Sequence, residues 1–234
     1  MVPKIIVVMP AYNAELTLER TYRDIPKGMV NEIILCDDHS SDRTVEIARD
    51  LGLSVLLHDR NKGYGGNQKT LYIEVLKRDA DIIVMLHPDY QYDSKKIPDL
   101  VRPIIENKAD IVIGSRILEN GALKGGMPLY KYIANRFLTY CENKILGLNL
   151  SEYHTGLRAY SRKFLEGIDW KDNSDDFLFD AQMLIKAARS GFKIKEIPVE
   201  TRYFKEASQV RFLSGVKYGI GILWELIKYR GTNV

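Results

Sequence analysis

The sequence has little cysteine and little net charge. Cys36 and Cys141 are the two cysteines among 234 residues and lie far apart, which argues against a disulfide framework and a cysteine-based metal site. The 34 basic residues exceed the 31 acidic residues by only three and are dispersed among them, which argues against a nucleic-acid partner. A reducing compartment, the cytoplasm, suits such a chain.

Long apolar runs are also missing. The run from Ile5 to Met9 ends at a proline and is too short for a signal peptide, so we interpret it as a strand. Residues 212–229 are interrupted by three charged residues and fall short of the ~20 apolar residues that a spanning helix requires. With 45% hydrophobic and 28% charged residues, the composition is that of a globular protein, and the length favours one α/β domain.

Short runs rich in Ile, Val and Leu alternate with segments of helical period, which predicts a Rossmann-like, mostly parallel sheet flanked by helices. The first and fourth runs are apolar at nearly every position, so those strands should be central. A proline at 198 predicts an edge strand or a bulge. The expected strands are 4–9, 32–36, 53–58, 81–86, 110–114, 157–161 and 193–203. The expected helices are 15–25, 42–51, 66–78, 96–107, 129–146, 177–189 and 210–230.

Polar residues gather directly after the predicted strands. In open α/β sheets, ligands bind in the crevice beyond the carboxyl ends of the strands, so we expect the site there. The segments concerned are Pro10–Asn13, Asp37–Ser40, Asp59–Gly63 and His87–Gln91.

Asp37 and Asp38 follow the second strand and have two interpretations. Asp and Ser favour turns, so the pair is consistent with turn chemistry alone. A carboxylate at a strand end is also suited to accept hydrogen bonds from a ribose or a nucleobase. Both interpretations stay open.

The glycines of Asn61–Lys69 open a predicted helix. They either let the chain enter the helix at unusual dihedral angles or expose backbone amides to a base edge or an anionic group. No Gly-Lys-Ser/Thr follows at the spacing of a P-loop, which disfavours a P-loop nucleotidase.

Alternate residues after the fourth strand, His87, Asp89, Gln91 and Asp93, are polar. If the strand continues, these side chains point to one side, where oxygen ligands suit Mg²⁺ or Mn²⁺ bridging to phosphates. The alternative is an exposed turn. Later in the chain, Asp180 falls in the first turns of a predicted helix, where it is either a general base or part of a solvated face.

Together these segments resemble glycosyltransferase family 2, which has the GT-A fold. The resemblance covers roughly residues 4–205. It implies a catalytic domain at 1–205 and a C-terminal amphipathic helical extension at 206–234. The motifs that carry it are Val8–Asn13 with Glu15, Cys36–Thr44, Asn61–Gly63, the strand leading to Asp89, Ile113–Arg116 and Thr155–Tyr160.

The resemblance implies an inverting transferase that moves a sugar from a nucleoside diphosphate sugar, UDP- or GDP-linked, to an acceptor. The residues that it implies for the donor nucleotide are Pro10, Ala11, Tyr12, Glu15, Asp37, Asp38, Asn61, Lys62 and Gly63.

Within the family the chain is most similar to the polyprenyl-phosphate sugar transferases, which implies a lipid phosphate or a glycan precursor as acceptor. The implied acceptor-binding residues are Arg116, Lys131, Arg136, His154 and Thr155. The implied catalytic residues are Asp89, Asp180 and Arg116.

Two departures from that subgroup concern histidines. Its metal motif usually reads Asp-x-Asp-x-Gln, which implies Mg²⁺ or Mn²⁺ on Asp89 and Gln91, but His87 replaces the first aspartate. His87 either coordinates as a neutral imidazole or leaves the metal weakly held. His154 stands where relatives often have an aspartate. A lipid phosphate needs no strong base, whereas a sugar hydroxyl would require Asp180 or Asp176.

The last predicted helix carries an apolar stripe of Phe212, Val216, Ile220, Leu223 and Ile227, with basic residues beside it. It either packs on the domain or on a second copy, or it lies on the cytoplasmic face of a membrane where a polyprenyl acceptor would be found. A partner membrane protein is the alternative route to such an acceptor.

Two other classes of protein remain as alternatives. A sugar nucleotidyltransferase would carry a glycine-rich, arginine-containing loop after the first strand, where Pro10–Asn13 stands instead. A non-catalytic nucleotide-sugar-binding subunit would explain the histidines at 87 and 154.

Overall fold

The computed structural model describes residues 2–203 and 212–231. In this part of the chain one seven-stranded sheet has the order β3-β2-β1-β4-β6-β5-β7. The strands are β1 (Ile5–Ala11), β2 (Glu32–Asp37), β3 (Ser54–Leu57), β4 (Ile82–Met85), β5 (Ile111–Ser115), β6 (Arg158–Ser161) and β7 (Ile194–Pro198).

Helices connect and cover these strands. They are α1 (Leu18–Arg23), α2 (Thr44–Asp50), α3 (Gly63–Lys77), α4 (Ile97–Ile105), α5 (Gly121–Lys124), α6 (Leu129–Leu146), α7 (Arg162–Gly167), α8 (Leu178–Arg189) and α9 (Phe212–Gly231). Short 3₁₀ turns lie at Ser94–Lys96 and Leu118–Asn120.

The sheet is mostly parallel, as predicted, and β1 and β4 lie at its centre. β1 pairs in parallel with β2 and β4, and every residue of β1 is buried. β6 is the exception, because it runs antiparallel to both β4 and β5. Its first residue, Arg158, therefore pairs with Met85 at the carboxyl end of β4 and with Ile113 in the middle of β5.

Two apolar cores lie on the two faces of the sheet. Successive side chains of a strand point to opposite faces, so Ile6 and Val8 join one core and Val7 and Met9 the other. The first core includes side chains of α3, α8 and α9, and the second includes side chains of α1 and α4. Because the apolar cores cover both faces of the sheet, the polar groups lie at the end of the sheet where β1, β2 and β4 have their carboxyl ends.

β7 is an edge strand, in agreement with the proline at its end, but it is shorter than the predicted 193–203. After Pro198 the chain leaves β5, and Thr201 forms an isolated antiparallel bridge with Tyr92. The segment that sequence pattern marks as one long strand is thus divided between two partners.

The last helix packs on the domain through one face. Its buried residues Ile222 and Leu226 join the core, and α9 packs against α6 and α8. Residues 204–211, which include the junction of the two expected segments and the predicted start of this helix, lie outside the described residues. No helix in the described part of the chain combines the length and the apolarity needed to cross a bilayer.

Candidate active site

A cavity of about 460 Å³ lies at the carboxyl-end edge of the sheet. Of the residues expected for the site, it is lined by Pro10, Ala11, Tyr12, Asp38, Asn61, Gly63, His87, Asp89, Gln91, Arg116, His154, Thr155 and Asp180. Five expected residues do not line it: Glu15, Asp37, Lys62, Lys131 and Arg136.

The loop after β1 is tied to the loop after β2. The Asn13 amide donates to Ser40 Oγ at 2.8 Å, and Asn13 Oδ1 accepts from the Ser41 amide at 2.9 Å. Glu15, placed in the donor pocket by resemblance, instead accepts the Arg43 amide at 3.0 Å, at the start of α2. These bonds fix the position of the β1 loop on this side of the cavity.

Asp38 holds the entrance to α3. Its carboxylate accepts the backbone amides of Lys62 at 2.8 Å and Gly63 at 3.0 Å, and contacts His58 Nδ1 at 2.7 Å. Asp37 accepts the Ser40 amide at 2.9 Å, which is the turn chemistry considered for it. Its other oxygen is buried and has no hydrogen-bond partner among the described residues.

The glycines that open α3 allow a close backbone approach. The Gly65 and Gly66 amides both donate to the carbonyl oxygen of Asp175, at 2.8 and 3.3 Å. A Cβ on Gly65 would overlap the Ser174 carbonyl oxygen and lie 2.9 Å from the Cβ of Phe179. Gly63 has a φ of +82°. Because the Gly65 and Gly66 amides are already bonded within the protein, these two glycines favour the first interpretation, which is the entry of the chain into the helix.

The segment after β4 is a turn, which was the alternative to a continued strand. Tyr90 has a φ of +57°, and the Gln91 amide donates to Asp89 Oδ1 at 3.0 Å. Asp93 leaves the cavity and accepts the Lys95 amide at 3.2 Å. The turn nevertheless brings His87, Asp89 and Gln91 to the cavity.

A hydrogen-bonded chain joins His87 to Asp180 through Tyr64. The Tyr64 hydroxyl lies 2.8 Å from Asp180 Oδ2 and 3.0 Å from His87 Nε2, and the Tyr64 and His87 rings stack at 5.4 Å. The Tyr64 hydroxyl donates its one proton to Asp180, so it can only accept from His87, which requires the tautomer with a hydrogen on Nε2. In this arrangement Nε2 is not available as a metal ligand, which leaves Nδ1.

Asp180 is buried in the cavity wall, and both of its carboxylate oxygens have partners. Its Oδ1 accepts from Gln68 at 3.1 Å, and its Oδ2 lies 3.5 Å from the Arg158 guanidinium. Arg158 also donates to the backbone oxygens of Tyr153 and Thr155. Burial opposes the charge of Arg158, yet Asp180 raises the pKa of Arg158 on balance, so the guanidinium stays charged.

A second buried ion pair holds Arg116. Glu152 is fully buried and accepts from the Arg116 amide at 2.7 Å and from Nε at 2.9 Å, and Asn135 donates to it at 2.7 Å. Burial alone would raise the pKa of Glu152, but the charge and hydrogen bonds of Arg116 lower it on balance. Arg116 also donates to Tyr203 at 3.0 Å. The guanidinium is therefore fixed at the cavity wall as a cation.

The other residues expected for the acceptor lie around Arg116. Thr155 donates to the Gly114 carbonyl at 2.7 Å, and His154 Nδ1 lies 3.1 Å from the Tyr218 hydroxyl. Burial, and then the positive charge of Arg116, lower the pKa of Lys131. Arg136 instead donates to the Ser151 carbonyl at 2.5 Å.

Several residues of the site were not predicted from the sequence. Tyr64, Phe177 and Tyr218 are aromatic side chains of the cavity wall, and Tyr64 packs on Phe177 at 4.9 Å. The sequence does carry one indication of a role for Arg158, because this charged residue lies within a mostly buried strand. The others are brought to the cavity by contacts between distant segments.

The mostly parallel sheet, with one antiparallel strand and a carboxylate-bearing turn after its central strand, defines a GT-A-type glycosyltransferase. The sequence model of "Glycosyl transferase family 2" matches residues 6–169, and the chain belongs to that family. The predicted enzyme class and fold are thereby confirmed.

Two relatives and one solved structure illustrate the similarity. An uncharacterized protein of Methanocaldococcus jannaschii is 34% identical, over 96% of this chain and 91% of its own. The UDP-N-acetylglucosamine–dolichyl-phosphate N-acetylglucosaminyltransferase of Methanococcus voltae is 28% identical, over 98% and 97%. Glucosyl-3-phosphoglycerate synthase of Mycobacterium tuberculosis, crystallised with Mn²⁺ and UDP-glucose, has a TM-score of 0.72 at 21% identity, over 98% and 79%.

Proposed function

We propose that this chain transfers a hexose from a nucleoside diphosphate sugar to a polyprenyl phosphate, with inversion at the sugar. The observation that carries the proposal is one cavity lined both by the Asp89 turn and by the fixed cation Arg116. The dolichyl-phosphate acceptor in the name of the Methanococcus voltae relative supports the acceptor class.

The order of the strands separates a donor side from an acceptor side. The donor side comprises the loops after β1, β2 and β4, and the acceptor side comprises the segments at β5 and β6. β2 and β5 are four strand positions apart, which corresponds to roughly 19 Å across the sheet. That span accommodates a nucleotide at the Asp38 loop and an acceptor phosphate at Arg116.

The donor nucleotide is proposed to lie against Pro10, Ala11 and Tyr12, beside Asn61 and Gly63. Tyr12 is exposed and lines the cavity, so its ring is available to a base. The Asp38 carboxylate is already bonded to the α3 entrance, and we therefore assign it to holding this wall of the pocket.

Asp89 and Gln91 fit a divalent cation that is shared with the donor. No group of three His, Cys, Asp or Glu side chains able to hold a metal occurs among residues 2–203 and 212–231. Mg²⁺ sites commonly combine one or two carboxylates with substrate phosphates, which is what the Asp89 turn offers. Mg²⁺ or Mn²⁺ bound there would stabilise the negative charge of the departing diphosphate.

On the acceptor side, Arg116 is proposed to bind the lipid phosphate, whose oxygen is already ionised and attacks the sugar carbon directly. Asp180 accepts from Tyr64 and Gln68 and pairs with Arg158, which suits a residue that positions the cavity base better than one that removes a proton. We place the reaction at the cytoplasmic face of a membrane, where such an acceptor is found.

The test is a transfer assay with the full chain. UDP-, GDP-, CDP- and dTDP-sugars are each supplied with a short-chain polyprenyl phosphate or with 3-phosphoglycerate, with and without Mn²⁺. We expect metal-dependent transfer from one donor to the lipid phosphate. Transfer to 3-phosphoglycerate but not to the lipid phosphate would show that the proposed acceptor class is wrong. Tight nucleotide binding with neither transfer nor hydrolysis of the donor would indicate a non-catalytic subunit.

Asp89→Ala and Asp93→Ala provide a matched pair in one loop. Loss of Asp89 should reduce turnover about a hundredfold, because charge stabilisation by the metal contributes several kcal/mol. Asp93 caps a turn outside the cavity, so Asp93→Ala should keep most of the activity. Near-full turnover of Asp89→Ala would exclude the proposed role of that residue.

A further inference from the structure

Helix α6 buries several polar side chains beside Leu146 and exposes an apolar stripe. Its buried side includes Asn135, Thr139 and Glu142, the last fully buried. Its exposed side carries Leu129, Tyr130, Ile133, Phe137 and Tyr140. A helix of a water-exposed domain normally has the reverse pattern, with its apolar stripe toward the core.

Helix α9, which packs against α6, also exposes apolar side chains. It buries Ile222 and Leu226 in the core. α9 packs against α6, with Leu138 of α6 3.6 Å from the position that a Cβ on Gly219 would take. We call the exposed side chains of the two helices the outer face: Leu129, Tyr130, Ile133, Phe137, Tyr140, Val216, Ile220, Trp224 and Ile227. An apolar patch built from two neighbouring helices marks an interaction site.

The charges around the outer face indicate which partner it takes. The exposed charged residues of the two helices are mostly basic: Arg136, Lys144, Lys217, Lys228 and Arg230, of which Lys217 lies 3.3 Å from the Asp176 carboxylate. The acidic residues of the two helices are Glu142, which is buried, and Glu225, whose carboxylate lies 3.0 Å from the Lys228 ammonium. A second copy on this face would bring cations against cations, whereas an anionic lipid surface attracts them. Tyr and Trp rings favour the lipid–water interface.

The outer face also lies next to the acceptor side of the cavity. Asn135, on the inner side of α6, donates to Glu152, which holds Arg116. Tyr218 of α9 lines the cavity directly. α6 therefore lies between the outer face and Arg116, a separation of about one helix diameter, or ~10 Å.

We infer that the outer face of α6 and α9 docks on an anionic lipid bilayer and brings the Arg116 side of the cavity to the headgroups. The inference rests on the proposed function for the identity of the acceptor. The contact itself depends on apolar burial and on lysine and arginine attraction to anionic headgroups.

Vesicle co-sedimentation of the full chain tests the contact without donor or acceptor. The vesicles are phosphatidylcholine alone or phosphatidylcholine with phosphatidylglycerol, and contain no polyprenyl phosphate. We expect binding to the anionic vesicles that weakens with salt, and a loss of about tenfold in partitioning for Phe137→Ser and for Trp224→Ser. Leu57→Ser is the matched control, because Leu57 is equally exposed but lies on the β3 edge.

Three results would overturn the inference. They are absence of wild-type binding to anionic vesicles, an equal loss of binding in Leu57→Ser, and a wild-type dimer that Phe137→Ser dissociates in sedimentation velocity. Urea unfolding of each variant verifies that the fold is kept. Sugar transfer to a short, water-soluble polyprenyl phosphate is measured in parallel. If this transfer is observed but the protein does not bind vesicles, the docking surface is refuted and the proposed function is not.

Discussion

The donor side and the acceptor side of the cavity are held together by different forces. On the donor side, hydrogen bonds from main-chain amides hold the wall in place. The Lys62 and Gly63 amides donate to the Asp38 carboxylate, and the Gly65 amide donates to the Asp175 carbonyl. On the acceptor side, the walls are buried ion pairs, of which Arg116 with Glu152 is the example nearest to the proposed phosphate.

This difference predicts different sensitivities. A wall held by backbone hydrogen bonds depends on glycines that let two backbone segments come close together. We expect such a wall to tolerate changes of charge elsewhere. A wall made from buried charges fails when one partner is removed, because the remaining charge is left without compensation in a region of low dielectric constant. The acceptor side should thus show the larger losses of stability.

The largest effect is expected for Glu152→Ala. Arg116 would be left buried without its carboxylate, and the free energy of unfolding should fall by about 3–5 kcal/mol in urea denaturation. The control is Glu19→Ala, which removes an exposed pair with Arg23 whose side chains are 50% and 71% exposed. The Glu19→Ala substitution should reduce the free energy of unfolding by at most about 1 kcal/mol. Equal losses would show that the Arg116 pair is not a structural element.

A smaller effect is expected for Gly65→Ala on the donor side. The added methyl group would meet the Ser174 carbonyl and push α3 away, which should reduce the free energy of unfolding by about 1–3 kcal/mol. Gly28→Ala is the control, since nothing lies within 4 Å of its Cβ position. If both variants unfold at the same urea concentration, the close approach at α3 is not needed.

The smallest effect concerns Cys36, beneath the donor side. Burial, and then the charge of Asp38, raise the pKa of its thiol from 9.0 to about 12. The unfolded chain therefore loses this proton at lower pH than the native protein, so the contribution to stability is full below pH 9 and falls as the pH rises to 12.

Urea denaturation at pH 7 and pH 10 measures this contribution. Between them, wild type should lose about 1 kcal/mol more than Cys36→Ala. Cys141→Ala, which changes a half-buried thiol, is the control and should follow wild type. An alkaline loss that is identical in wild type and Cys36→Ala would contradict the raised pKa.

Much of the architecture was predictable because it depends on local patterns. The apolar run of β1 indicated a central strand, and the helical period of residues 129–146 indicated α6 with the observed bounds. The turn after β4 was considered only as the alternative to a continued strand, because the positive φ of Tyr90 accompanies a contact with a distant helix, the hydrogen bond from its amide to Thr21 at 3.1 Å.

The candidate site was predictable only where short motifs carry it. The strand-end segments led to Asp38 and Asp89, and the family resemblance led to Arg116; all three line the cavity. Glu152 and Tyr218 were missed because their roles depend on long-range pairing. A helical period also does not tell which side of a helix is buried, so the exposed apolar stripe of α6 was visible only in the fold.

Parallel measurements on Asp38→Asn and Arg116→Lys test the division of the cavity most directly. Calorimetry gives the Kd of UDP with Mn²⁺, and the transfer assay gives the KM of a short polyprenyl phosphate. Our account predicts that Asp38→Asn weakens UDP binding about tenfold with little change in the acceptor KM, and that Arg116→Lys raises that KM about tenfold with little change in the UDP Kd. Weakening of UDP binding by Arg116→Lys to the same extent as by Asp38→Asn would contradict it.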